Sequence, residues 1–92
     1  MYKIKPYTYN KAKKLGVIVK PSSIPYKKID VFNKFGKKIC SIVAMGYKDY
    51  PTYLLTHGKA YADRRRKLYK IRHEADRHIK GTPGYYADQL LW

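Results

Sequence analysis

At 92 residues the chain has room for one small domain with a limited core, and eleven tyrosines supply much of its 45% hydrophobic content, so the aliphatic core is thinner than that share suggests. Twenty-one Lys and Arg against six Asp and Glu give a net charge of +15, which repels itself unless an anion or acidic partner lies nearby. A single cysteine, Cys40, excludes an internal disulfide, and no apolar run is long enough for a secretory signal or a membrane span, so the chain is expected to be soluble or held by its neighbours, and not secreted.

Residues 1–29 hold eight lysines and no acid, whereas all six acids lie between Asp30 and Asp88. A basic N-terminal arm with a short helix is therefore expected over 1–29, and a hairpin plus helical region over 30–92, one domain overall. In the arm, Thr8 is a candidate N-cap, YNKAKKL can make two turns, and Gly16 suits a left-handed C-cap before the extended VIVKP. KPSSIPY reads as a connecting loop. Two β-rich runs then flank Asn33-Lys34-Phe35-Gly36, which predicts strands at about Lys28–Asn33 and Lys37–Ala44, with Gly36 supplying the positive φ of the turn. KDYPTYLLTHG predicts a short helix with Asp49 as N-cap, Pro51 in the first turn and Gly58 at its end.

The longest predicted helix runs from about Lys59 to Lys80 and contains DRRRKLYKIRHEADRHIK. At 100° per residue Tyr61, Leu68, Ile71, Ala75 and Ile79 share one stripe, with Arg66, Lys70 and Arg77 nearly opposite. Gly81 stops this helix, and Thr82-Pro83 caps a last short one over GYYADQLLW. Three apolar residues at the terminus, Leu90, Leu91 and Trp92, are expected to pack back on the hairpin and the long helix. The predicted architecture is a small single α+β domain with a β-hairpin, one long amphipathic basic helix and short flanking helices.

Lys11, Lys13, Lys14, Arg65, Arg66, Lys70 and Arg77 are the candidate phosphate contacts of a nucleic-acid-binding surface. The bland alternative is a solvated helix whose charge is offset by the i,i+4 pairs Asp63–Lys67, Lys70–Glu74 and Arg72–Asp76. Arg64 and Arg72 fall at the edge of the apolar stripe, so with Tyr69 they are expected to form a structural clamp rather than a reading surface. Tyr2, Tyr7, Tyr9, Tyr47, Tyr50 and Tyr53 could stack on unpaired bases, but no framing strand pattern accompanies them, and filling the core or anchoring protein contacts suits them better.

Cys40, His57, His73 and His78 lack metal-ligand spacing, and the acids are few and scattered, so neither a metal, a cofactor nor an enzymatic site is expected. The stretches LGVIVKPSS, KKIDVFNKFGKKICSI, GYKDYPTYL, GKAYADRRRKLYKIRHEADRH and KGTPGYYADQLLW span nearly the whole chain. They include an RRxxYxxRH core formed by Arg65, Arg66, Tyr69, Arg72 and His73. In these stretches the chain resembles a family of short, basic, uncharacterised proteins of nucleocytoplasmic large DNA viruses. The resemblance implies a virion, infected-cell cytoplasm or viral-factory setting, but no activity and no catalytic residues. Two expectations follow: non-specific binding to the DNA or RNA backbone in genome packaging or the virion interior, or a minor capsid or cement protein bridging acidic capsid surfaces through its arm and tyrosines.

Overall fold

In a computed structural model that describes residues 2–92, the chain runs α1 (Pro6–Leu15), β1 (Ile18–Pro21), β2 (Lys27–Phe32), β3 (Lys38–Ala44), α2 (Tyr50–Thr56), α3 (Lys59–Arg72) and α4 (Pro83–Leu91). The strands form one antiparallel sheet in the order β1-β2-β3, giving the α+β architecture expected. The β2–β3 hairpin closes where its turn residues require. Gly36 holds a φ of 85°, and the Asn33 carboxamide oxygen accepts from the Phe35 and Lys37 N–H groups at 2.9 and 3.0 Å. Pro21 is tolerated because β1 is an edge strand.

Alternation along β2 builds the interior. Ile29 and Val31 point into the core with Ile42 of β3, and α4 covers them with Leu90, Leu91 and Trp92. Lys28 and Asp30, on the opposite face of the strand, are also buried, and each has its charge answered. The Lys28 ammonium donates to the Tyr47 carbonyl and to Asp49. Asp30 accepts from the Ser22 and Ser41 hydroxyls, both at 2.6 Å, and from the Ser23 N–H, with Lys38 at 3.6 Å. Burial alone would raise the Asp30 carboxyl, but these hydrogen bonds and then the Lys38 charge outweigh it and lower the pKa from 3.8 to about 2. A carboxyl with a depressed folded pKa stabilises the fold above its unfolded value. Asp30 is therefore expected to contribute about 2 kcal/mol that disappears as pH falls from the ordinary carboxylate range through about 2. Urea denaturation across that window should show a shallower acid loss in Asp30→Asn than in the parent, and parallel profiles would count against the assignment.

At the ends of α1, α2 and α4 local chemistry prevails with one exception. Asp49 caps α2 by accepting from the Thr52 N–H, Thr82 caps α4 by accepting from the Tyr85 N–H, and Gly16 ends α1 with a φ of 75°. The exception is Thr8, which lies inside α1. The helix begins at Pro6, whose missing N–H costs nothing in a first turn, with Lys5 as the capping residue. Thr8 is instead buried, and its hydroxyl donates to the Leu90 carbonyl at 2.9 Å.

Three further expectations are corrected. The described residues of the expected 1–29 arm, 2–29, do not stand apart: Ile4, Ala12, Val19 and Ile29 belong to the common core, and α1 packs against α4 and β1. The long helix ends at Arg72 rather than Lys80, and residues 73–80 form successive turns. Tertiary contacts decide that end, because Arg77 folds back toward Asp88 of α4 and Gly84 comes up against Asp76. Finally, the buried face of α3 is rotated from the aliphatic stripe. Ala62 and Tyr69 are buried, whereas Leu68, Ile71 and Ile79 are exposed, Ile71 by 64%. Tyr69 stacks flat on Trp92, with centroids 4.3 Å apart and planes 6° apart, and this large ring contact outweighs burial of the leucine and isoleucine.

Candidate functional site

The predicted cations separate into three environments. Lys70 and Arg77, expected to project outward, both turn onto Asp88 of α4, whose side chain is only 1% exposed. The Lys70 ammonium donates to that carboxylate at 2.7 Å, and the Arg77 guanidinium reaches it at 3.7 Å while donating to Glu74 at 2.8 Å. These two residues form the clamp expected of Arg64 and Arg72. Arg64 and Arg72 are exposed on α3, and among the described residues neither takes a hydrogen bond or an ion pair. None of the three predicted i,i+4 pairs forms. Asp63 instead takes Lys59 and Arg66, Glu74 takes Arg77 and His78, and Asp76 faces His73. Alanine at Lys70 is expected to cost about 1.5–3 kcal/mol in urea denaturation because it leaves the buried Asp88 carboxylate with only the Gln89 carboxamide at 3.2 Å and the Arg77 guanidinium at 3.7 Å. Arg72→Ala should stay within about 0.5 kcal/mol of the parent. The reverse order of losses would restore the clamp to Arg72.

The second environment joins α1 to α3. Arg66 lies 4.1 Å above the Tyr50 ring, and Tyr50 meets the Tyr7 ring at 5.3 Å, with the Lys11 ammonium 5.4 Å from Tyr7 on its own helix. Burial, and then the Arg66 and Lys14 charges working against the pull of Asp88, hold Lys11 below the ordinary lysine value. Lys13 and Lys14, in the last turn of α1, are exposed and favourably placed at the negative end of the helix. Thus Lys11 and Lys14 of α1 share one surface with Arg66, far away in sequence, and the Tyr7–Tyr50 contact, with Arg66 over the Tyr50 ring, joins α1 to α3 there.

The third environment is a cleft of 590 Å³ between the β3–α2 connection, α3 and the first turns of α4. Its aromatic side is ordered: Trp92 stacks on Tyr69, and Tyr69 stacks on His73 at 4.4 Å. Burial, and then the Asp88 and Asp76 carboxylates, push the Tyr69 phenol up to about 12, so it remains neutral. Arg65 lies over the Tyr53 ring at 5.6 Å, and Lys48 and Arg72 also line the opening. Val43 forms part of the wall with a φ of 58°, unfavourable for a β-branched side chain.

Of the predicted phosphate contacts, the structure brings Lys11 beside Arg66, leaves Lys13 exposed on α1, puts Arg65 in the cleft, and commits Lys70 and Arg77 to Asp88. Sequence reasoning missed Lys48, Trp92 and Asp88 as parts of these sites. Only the Gly46 loop before Tyr47-Lys48 offered a local signal, since Trp92 and Asp88 acquire their roles from the docking of α4. Among the described residues no group of His, Cys, Asp and Glu could hold a metal ion, and no helix is long and apolar enough to cross a membrane. Comparison of the chain with protein families, curated proteins and solved structures finds no match.

Proposed function

We propose that the protein binds the phosphate backbone of nucleic acid without sequence specificity. The observation that carries this reading is that five of the six acids face a Lys or Arg of the same chain and the sixth, Asp76, faces His73, so almost no internal counter-charge is left for the surplus of +15. Lys11, Lys13, Lys14, Arg64, Arg65, Lys67 and Arg72 are the cations on α1 and α3 that face no acid and can meet phosphates, Arg66 is shared with Asp63 at 3.6 Å, and the contacts of Lys70 and Arg77 with Asp88 remove those two from the binding surface. If about five to seven phosphates are neutralised on duplex DNA, log affinity against log salt should slope by roughly −4 to −6. Fluorescence anisotropy of labelled duplex over a salt series measures it, and a flat dependence would end this reading. In the setting implied by the resemblance to giant-virus proteins, the function is genome packaging or retention in the virion interior.

A second reading has its own support. Phe35 at the hairpin tip is 83% exposed and Leu55 of α2 is 76% exposed, more apolar area than a backbone-binding surface needs. Such anchors suit a minor capsid or cement protein that bridges larger subunits. Co-sedimentation with genome-free capsid shells, lost in Phe35→Ser with Leu55→Ser, would favour it.

A further inference from the structure

Binding to a duplex backbone requires only cations on a convex face, yet the chain also builds a concave site. The cleft volume of 590 Å³ lies within the range of small-ligand pockets. One side is a continuous stack of rings from Trp92 through Tyr69 to His73. Tyr47 stands at the lip, 72% exposed, and among the described residues its ring takes no aromatic contact and its hydroxyl no hydrogen bond. The charged lining is Lys48, Arg65 and Arg72 against one acid, Asp76, which already faces His73 at 3.6 Å. A ligand complementary to this cleft is flat and apolar on its faces and anionic at one end.

Resting on the backbone-binding reading above, we propose that the cleft seats one unpaired nucleotide of a single-stranded nucleic acid, its base on the Tyr47 ring and its phosphate among Lys48, Arg65 and Arg72. A base in a duplex is covered on both faces by its neighbours and cannot enter, so the site gives a preference for single strands without reading sequence, because every base has a flat face to stack. Salt-sensitive contacts outside the cleft would hold the flanking phosphates.

Trp92 is the only tryptophan of the chain and lines the cleft, which makes its emission a direct report of occupancy. Oligo(dT), a duplex of the same length and thymidine monophosphate are titrated separately into the full chain at roughly 150 mM salt, with polymer binding followed by anisotropy and Trp92 by fluorescence. Oligo(dT) is expected to change Trp92 emission saturably while the duplex leaves it unchanged. Tyr47→Ala should weaken oligo(dT) binding roughly tenfold, the scale of one lost base stack, and leave duplex binding within about twofold of the parent. Its melting temperature should not move, since so exposed a ring holds little of the core. Equal affinity for strand and duplex per phosphate, with silent Trp92 emission and no effect of Tyr47→Ala, would overturn the proposal while leaving the backbone reading intact. A response to thymidine monophosphate with no binding of either polymer would assign the cleft to free nucleotides and overturn both. Absence of any binding by all three probes would likewise overturn both.

Discussion

Removing Leu90, Leu91 and Trp92 is expected to leave a chain that does not fold at physiological temperature. Leu90 and Leu91 are 0% exposed and Trp92 is buried, and they cover Ile29, Val31 and Ile42 of the sheet. Truncating a single buried leucine to alanine costs about 2–5 kcal/mol, and a small domain holds only about 5–15 kcal/mol in all. The deletion also strips Tyr69 of its stacking partner and leaves the Thr8 hydroxyl in α1 without the Leu90 carbonyl. Far-UV circular dichroism of the truncated chain should lose the cooperative melting transition. Leu90→Ala is the graded version, with an expected loss of about 3 kcal/mol in urea denaturation. A truncated chain that melts like the parent would show that these three residues do not hold the core and are available to a partner.

The other large effect is expected at Asp49. Its side chain is fully buried, caps α2 at the Thr52 N–H, accepts the Tyr2 hydroxyl at 2.6 Å and faces the Lys28 ammonium at 3.0 Å. Burial would raise this carboxyl, but the hydrogen bonds from Tyr2 and Thr52 and then the Lys28 charge hold it below the ordinary value. Its contribution is therefore complete above the ordinary carboxylate range and is lost as pH falls through the lowered pKa. Asp49→Ala leaves the Lys28 ammonium buried with the Tyr47 carbonyl as its one hydrogen-bond partner and the Tyr2 ring 5.1 Å away, and breaking a buried pair in this way costs about 3–5 kcal/mol. Adding Lys28→Met removes the orphaned charge while keeping the length of the side chain, so the double variant should be more stable than Asp49→Ala alone. Denaturation midpoints of the three proteins test this. A double variant no more stable than the single one would mean that the cap and the Tyr2 contact, not the buried charge, account for the loss.

The two strongest positions, the C-terminal residues and Asp49, were legible in the sequence to different degrees. An apolar terminus in a chain short of aliphatic residues had to be buried, and Asp49 before Tyr50-Pro51 marked a helix start. That the same Asp49 neutralises Lys28 of β2 had no local sign, because the two residues meet only when α2 is folded against the sheet. The cationic candidates divide in the same way. Lys13 and Lys14 remain on the surface as the composition of α1 suggested, whereas Lys70 and Arg77 are drawn inward by Asp88.

Sequence alone determined the hairpin, the left-handed glycines at 16 and 36, the caps at Asp49 and Thr82 and the burial of the tail, because each depends on backbone preferences within a few residues or on a shortage of apolar side chains. The tertiary structure decided which face of α3 is buried, where that helix ends, which cations are clamped and that the N-terminal third joins the core. Leu68 and Ile71 make a better stripe by periodicity than Tyr69 does, but periodicity takes no account of a partner. Trp92, brought back by α4, offers Tyr69 a full ring face, and Asp88 of the same helix offers Lys70 and Arg77 a buried counter-charge. A helix with apolar residues on more than one side turns toward the larger complementary surface, and that surface exists only once the chain has folded.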